Sequence, residues 1–337
     1  MTPLAPHLSD FLRAHLPRER GASQNTIASY AHCYRLLLVF AAERRKTRPS
    51  QIQIEDLDAA LICAFLDHLE EARSNTARSR NARLAAIHSL FRYIEYRVPA
   101  CLDQARRIHA IPMKRSAQPL VGYLTRAEMQ ALLAAPDPRT VAGLRDQAML
   151  HLAFAAGLRV SELTGLGLKQ FDDAAMPSLH VIGKGRRERI LPLWQETART
   201  LRRWIAVRPV QGDPQLFLNA AGRTMTRSGF EYILRKHATA AAKVEPSIAG
   251  KRVTPHVLRH SCAMHTLQAT GDVRKVSLWL GHASVQTTEM YLRADPTEKL
   301  EALTAMGPPT LKRGRFTVPD KLMAMLTETS NGRNYAE

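Results

Sequence analysis

The sequence predicts a mainly α-helical protein with a small β-sheet, divided into a helical N-terminal domain and a mixed α/β C-terminal domain. Three observations predict it. Up to Val98, apolar residues recur at three- and four-residue steps, the helical period. Between Arg97 and Thr125 the run "RVPACLDQARRIHAIPMKRSAQPLVGYLT" breaks that pattern with three prolines and several charges. Beyond it, "SLHVIGKGRRERILPL" reads as two short β-rich runs around a Gly-Lys-Gly turn, a hairpin signal. At 337 residues the chain has room for two cores, since a domain takes roughly 100–200 residues.

The elements follow in order. "SQNTIASYAHCYRLLLVFAAERR" places Ile27, Tyr30, Ala31, Tyr34 and Leu38 on one helical face, with Ser23 or Asn25 as its cap. "RPSQIQIEDLDAALICAFLDHLEEA" starts at a Pro-Ser break and aligns Leu57, Leu61, Ile62, Phe65 and Leu69. "SNTARSRNARLAAIHSLFRYIEYRV" aligns Leu84, Ile87, Phe91 and Ile94, and its opposite face carries Arg78, Asn81 and Arg92. A solvated face and a phosphate-contacting face are both open for that polar stripe. Thr125 with Glu128 forms the Thr-x-x-Glu pattern of a capping box and opens the next helix. "RDQAMLHLAFAAGLRVSELTGL" is helix, glycine break, helix; after the hairpin, helices resume at "WQETARTLRRWIAV". Thr254-Pro255 supplies a capping residue and a proline at the first helical position. The expected boundaries are a helical domain at 1–110, a linker at 111–120, a second domain at 121–305 and a tail at 306–337, with a last helix near Lys321–Thr327.

Charge indicates the partner. Lys and Arg total 48 against 30 Asp and Glu, a net of +18. Residues 1–118 hold 18 basic and 11 acidic side chains, net +7, and the remainder holds net +11, so the excess is no detachable tail. A basic surface on both domains attracts a polyanion, nucleic acid first among them. Two basic domains on a basic linker suggest a clamp around a duplex. No apolar run approaches the ~18–20 residues of a membrane span, and the start "MTPLAPHLSDFLRAHL" lacks the pattern of an export signal. Cys33, Cys63, Cys101 and Cys262 are scattered with no CxxC pair, as expected of reduced thiols in a cytoplasmic protein.

The densest chemistry is "HVLRHSCAMH", His256 to His265. His256 and Arg259 are i and i+3, and His260 is i+4 from His256, so the three share a helical face. Metal ligation, acid–base work and a phosphate cradle all use such groups. Zinc would want a Glu beside the first His or a cysteine pair, and neither is present. A helix N-terminus favours phosphate through its free N–H groups. Arg159 in "GLRVSEL" has Glu162 three residues on to orient it; taken alone, this is an ordinary helix-start ion pair. Lys184 in "GKGRRER" stands between two glycines at the hairpin tip, where a solvated turn is the plain alternative. "LGHASVQTTEMYL" exposes His282 after a glycine and carries Tyr291 nine residues later. Singly, that His is structural and that Tyr a core residue.

Taken together, Arg159, Lys184, His256, Arg259, His282 and Tyr291 resemble, in type and order, the catalytic set of the tyrosine recombinase (phage integrase) family. "AGLRVSEL", "VIGKGRRERILPL", "TPHVLRHSCAMHTL" and "LGHASVQTTEMYL" resemble its Xer-like branch, and "ASQNTIASYAHCYRLLLVFAAE" resembles the opening of the family's core-binding domain. The likeness covers roughly residues 8–300. It implies a SAM-like helical core-binding domain followed by a mixed α/β catalytic domain. It also implies that Arg159 and Arg259 bind the nonbridging phosphate oxygens, that Tyr291 is the nucleophile and that Lys184 protonates the leaving 5′-oxygen. His256 is then the candidate base and His282 a hydrogen-bond donor to phosphate. Glu162 and His260 are supporting residues, with His260 either orienting the site or serving as a buried structural group. The chemistry suits these types: guanidinium forks bind phosphate bidentately, and a phenol with a pKa near ~10 needs a base or strong charge stabilisation.

A phosphotyrosine link conserves the energy of the broken bond, so no cofactor and no metal are expected. The sequence contains neither a Walker-type loop nor an acidic cluster for Mg²⁺. Double-stranded DNA recombination sites are the implied partner. Strand exchange through a Holliday junction is implied, within a homo-tetramer on DNA or a hetero-tetramer with a related recombinase. Arg78 and Arg92 are candidate DNA contacts, and no membrane role is expected. The 46 residues after Tyr291 are more than a plain Xer-like chain needs: "PTEKLEALTAMG" is a candidate docking helix for a neighbouring protomer, and for the 306–337 tail three readings stay open, a disordered segment, a DNA-binding one, or one particular to a plasmid- or transposon-type integrase. No counterpart of the arm-binding domain of some phage integrases is expected. Two other functions remain open: a non-catalytic or partner-activated DNA-binding accessory protein, and a type IB topoisomerase-like DNA relaxer.

Overall fold

Threonine and serine caps set where many of the helices begin. The hydroxyls of Ser23, Thr76, Thr125, Thr140, Thr226 and Thr254 each accept a hydrogen bond from the backbone N–H three residues on, satisfying a donor that has no partner inside the helix. The computed structural model describes residues 2–117, 120–183, 187–209, 213–282 and 284–294. The chain divides into two compact units, Met1–Pro119 and Leu120–Glu337. Lys184, the last two residues before Leu120, the candidate docking helix and the 306–337 tail lie outside the described residues.

The first unit is all helix. α1 (Leu4–Asp10) runs into wider π-helical turns at Phe11–Glu19, which accommodate Pro17. α2 (Gln24–Arg45), α3 (Ala59–Glu71), α4 (Ala77–Arg97) and α5 (Leu102–His109) follow. All five apolar positions read from "IEDLDAALICAFLDHL" are buried, as are all four read from α4. The face of α2 is turned from the expected one: Cys33, Tyr34, Leu37 and Phe40 are buried, whereas Ile27, Tyr30 and Leu38 are only partly covered. The Tyr34 hydroxyl donates to the Ala86 carbonyl at 2.7 Å, and this bond to α4 helps fix which side of α2 faces inward.

Asn81, on the polar stripe of α4, is engaged with the backbone. Its Nδ2 donates to the Lys114 carbonyl at 2.7 Å and its Oδ1 accepts from the Lys114 N–H at 3.0 Å. Arg80 is buried beside it, with Nη1 donating to the Pro112 carbonyl at 3.3 Å. The stretch read as linker thus begins fastened to α4. Arg78 and Arg92, on the same helix, are exposed.

The second unit joins helices to a three-stranded antiparallel sheet. α6 (Arg126–Ala134), α7 (Val141–Ala155) and α8 (Val160–Gly165) precede it. The strands are β1 (Phe171–Asp172), β2 (Ser178–Ile182) and β3 (Glu188–Pro192), in the order β1-β2-β3. The β2–β3 hairpin follows the sequence reading; β1, two residues long, carries no alternation that could reveal it. Leu179 faces Leu191 and Val181 faces Arg189; Leu179, Val181 and Leu191 are buried against the helices. α9 (Gln195–Val207), α10 (Arg227–Ala241), α11 (Pro255–Thr270), α12 (Val273–Leu280) and α13 (Glu289–Ala294) complete the described part. α7 is apolar on nearly every side and lies within the core, so Met149, Leu150, Leu152 and Ala153 are all buried. Among the described residues no helix is long and apolar enough to cross a membrane.

Candidate active site

Two glycines shape the site's floor. Gly157, after α7, and Gly281, at the end of α12, have φ of +55° and +63°, left-handed values that favour glycine. A Cβ on Gly157 would lie 2.5 Å from Leu280 Cδ2, and one on Gly281 would lie 3.1 Å from Arg189 Cδ. The backbone therefore approaches closely at both places, and its carbonyls point at Arg259. That side chain is 4% exposed; its Nη1 donates to the Gly157 carbonyl and its Nη2 to the Leu280 carbonyl at 2.8 Å. Two of its five N–H donors face backbone. Burial, and then the Arg159 charge, pull its pKa down to about 10, so it remains a cation at neutral pH.

Arg159 caps α8 two residues after Gly157. Glu162 accepts from the Arg159 backbone N–H at 3.0 Å and from its Nη1 at 2.9 Å. This is the orientation the three-residue spacing suggested. Oε2 of the same carboxylate, which takes the Arg159 N–H, also accepts from Arg189 Nη2 at 2.9 Å. Burial works against the charge on Glu162, but hydrogen bonds from Arg189 and the Arg159 backbone, together with the Arg189 charge, outweigh it and hold the carboxyl below its usual range.

On α11 the three residues His256, Arg259 and His260 form a gradient of burial. His256 is exposed, Arg259 is buried, and His260 lies between them, its ring 6.4 Å from that of His256. His260 Nδ1 is hydrogen-bonded to the Tyr291 hydroxyl at 2.9 Å. Tyr291 is 1% exposed. Its burial pushes the phenol up to about 12, against the opposing pull of Arg259 and Arg159. His282 Nδ1 pairs with Thr288 Oγ1 at 2.8 Å. Burial, with nearby positive charge, lowers both His260 and His282 to about 4, so both rings are neutral at pH 7. Beside His256 a cleft of about 710 Å³ is lined by Arg227, Arg235, Lys251, Arg252 and Glu231, with Arg227 paired to Glu231 and Lys251 to Glu128. Among the described residues no group of three or more His, Cys, Asp or Glu side chains is placed to hold a metal ion.

Arg159, Glu162, Arg259, His260, His282 and Tyr291, spread over 133 positions of sequence, therefore interact within one region of the second unit. His256 stands at its exposed edge. Arg189 went unread because "GRRER" offers three arginines and no periodicity selects the one that points inward. The contact from His260 to Tyr291 crosses 31 residues, a separation that local pattern does not encode.

Comparison with known proteins decides the family. A model of the phage integrase family matches residues 122–298, and one of the phage integrase N-terminal SAM-like domain matches residues 9–97. The chain belongs to the phage integrase family. A candidate integrase/recombinase of Sinorhizobium fredii, y4rC, is 46% identical over 324 residues, covering 96% of this chain and 97% of that protein. The tyrosine recombinase XerC of Herpetosiphon aurantiacus is 35% identical over 290 residues, 84% of this chain and 89% of that one. Among solved structures, the XerH site-specific recombinase bound to palindromic difH substrate, a post-cleavage complex, has a TM-score of 0.64 at 22% identity and covers 84% of this chain and 80% of that one. A lambda integrase dimer bound to a COC′ core site gives 0.62 at 16%, covering 94% and 100%. These two share the fold. As a phage integrase family member the chain is a site-specific tyrosine recombinase, mainly α with a small sheet, built from a SAM-like N-terminal domain and a recombinase catalytic domain.

Proposed function

We propose that this recombinase cuts and rejoins double-stranded DNA through Tyr291, forming a 3′-phosphotyrosine link, and exchanges strands between two sites through a Holliday junction. In the first step the Tyr291 oxygen bonds to phosphorus as the bond to the 5′-oxygen breaks. Arg159 and Arg259 bind the nonbridging oxygens, whose charge grows in the transition state. His282 donates to the same phosphate, and Lys184 delivers a proton to the departing 5′-oxygen. The phenol's proton passes to a histidine of α11: His256 serves as base at the substrate edge, and His260 orients the hydroxyl before attack. Arg78 and Arg92 on the first unit contact DNA phosphates. Protomers act as a tetramer on two sites, either of one kind or with a related recombinase.

The observation that carries this reading is the Tyr291 hydroxyl held 2.9 Å from His260 Nδ1 and subject to the charges of Arg259 and Arg159. A core tyrosine has no need of two cationic neighbours. The near-complete burial of Tyr291 favours a second reading, in which a partner protomer or DNA must draw α13 outward before attack.

The test is a nicked suicide duplex carrying DNA from beside the gene, incubated with EDTA and no ATP. Wild type gives a retarded adduct on a denaturing gel, and Tyr291→Phe binds but gives none. An adduct that forms only once a related recombinase is added selects the partner-activated reading. Relaxation of supercoils by monomer, with no pairing of sites, selects the topoisomerase-like one.

A further inference from the structure

Arg189 lies on β3 and has no part in the chemistry set out above. Its side chain is 10% exposed, and the Glu162 side chain it meets is 5% exposed. It shares both Glu162 oxygens with Arg159: Arg189 Nη2 lies 2.9 Å from Oε2, which also accepts from the Arg159 N–H, and Nη1 lies 3.4 Å from Oε1, which also accepts from Arg159 Nη1. Two glycines make its space. A Cβ on Gly183 would lie 3.3 Å from Arg189 Nη1, and a Cβ on Gly281 would lie 3.2 Å from the same atom. Arg189 thus touches three parts of the site at once: the Glu162 that orients Arg159, the turn that presents His282, and the hairpin that carries Lys184.

Charge explains what this contact does. Arg159 with Glu162 alone is a neutral pair, and a buried carboxylate with one cationic partner draws that partner inward. A second guanidinium restores a net positive charge to the group and shares the carboxylate's oxygens, so that Arg159 gives Glu162 one side-chain donor, Nη1, and keeps the others for a ligand. A buried carboxylate held by one guanidinium fork, a second guanidinium N–H and a backbone N–H is also rigid, since few of its lone pairs are left to rearrange.

We infer that Arg189 is a positioning residue for recombination: by neutralising and clamping Glu162 and packing beneath Gly281, it keeps Arg159 and His282 aimed at the scissile phosphate. The inference rests on the proposed roles of Arg159 and His282. It differs from a stabilising ion pair in its consequence for Glu162. Once Arg189 is gone, Glu162 becomes harmful to cleavage, and removing its charge as well relieves the harm.

The experiment compares Arg189→Met, Arg189→Lys, Glu162→Gln and the Arg189→Met/Glu162→Gln double variant in the full chain. For each, the rate of adduct formation at saturating suicide duplex, the DNA Kd and the melting midpoint are measured. Arg189→Met slows adduct formation by about 10²-fold, the usual effect of a misplaced reacting group, with DNA Kd within about threefold of wild type. Arg189→Lys, which keeps the charge and loses the fork, falls between. The double variant forms adduct at least about fivefold faster than Arg189→Met. Two results overturn the inference: Arg189→Met cleaving at the wild-type rate, or a cleavage defect that Glu162→Gln does not relieve while the melting midpoint falls in step. An adduct that survives Tyr291→Phe in the same assay overturns the assigned nucleophile instead and leaves the Arg189 comparison intact.

Discussion

The hydrogen bond between His260 and Tyr291 can be weighed by removing each partner in turn. Tyr291 is 1% exposed, so its hydroxyl has no water to fall back on. His260→Ala leaves that hydroxyl buried and unpaired, at about 1–3 kcal/mol, in addition to the lost packing of the ring. Tyr291→Phe keeps the ring and removes only the bond, at about 0.5–1.5 kcal/mol. In the double variant the orphaned hydroxyl is gone, so its cost falls short of the sum of the singles by about 1–2 kcal/mol. For a unit of this size that is ~2–8 °C in melting midpoint. All three tryptophans, Trp194, Trp204 and Trp279, lie in the second unit, so urea titration followed by tryptophan fluorescence reports on the unit that carries the pair. Additive single and double variants, with coupling near zero, would refute the bond and with it the resting position given to the nucleophile.

Other outcomes follow from the same geometry. His260 and His282 are lowered from 6.5 to about 4, first by burial, with Arg259 contributing to both and His256, Arg159 or Arg189 adding to one or the other. The unfolded chain therefore takes up protons near pH 6.5 that the folded one refuses until about 4, and stability falls as pH drops through that window. His282→Asn flattens the slope by up to about 1.4 kcal/mol per pH unit, read by urea unfolding between pH 4 and 7. Gly157→Ala forces a side chain into a left-handed position and against Leu280, 2.5 Å away; it costs about 2–5 kcal/mol in unfolding free energy, and adduct formation falls because the Gly157 carbonyl holds Arg259. Asn81→Ala removes both bonds to the Lys114 backbone, so trypsin cuts after Lys114 and Arg115 faster than in wild type, read from the initial cleavage rate on a gel.

The parts of the site that could be read from sequence share a physical basis: each depends on residues within one turn or one hairpin. Thr254 and Pro255 start α11 as expected, Arg159 meets Glu162 across one turn, and β2 pairs with β3 as the two β-rich runs suggested. Features set by tertiary contact were hidden. The buried side of α2 follows from a hydroxyl reaching Ala86 on α4. The sequence leaves Asn81 on a polar stripe open to solvent or to phosphate; its partner at Lys114, 33 residues on, is set by tertiary packing. Arg189 shares the inward side of β3 with Leu191, but the Glu162 it meets lies 27 residues away, a contact that alternation does not encode. The family motif supplied Tyr291; its burial, and its tie to His260 instead of His256, come from packing that no motif records.

The central claim is that Tyr291 becomes covalently joined to DNA. The most direct measurement digests the wild-type adduct with trypsin and nuclease and locates the added nucleotide by mass spectrometry. The tryptic peptide Val276 to Arg293 contains a single tyrosine, Tyr291. A nucleotide phosphate fragmenting to that residue is the predicted result. The same mass on any other residue, or an adduct of undiminished yield in Tyr291→Phe, would contradict the account.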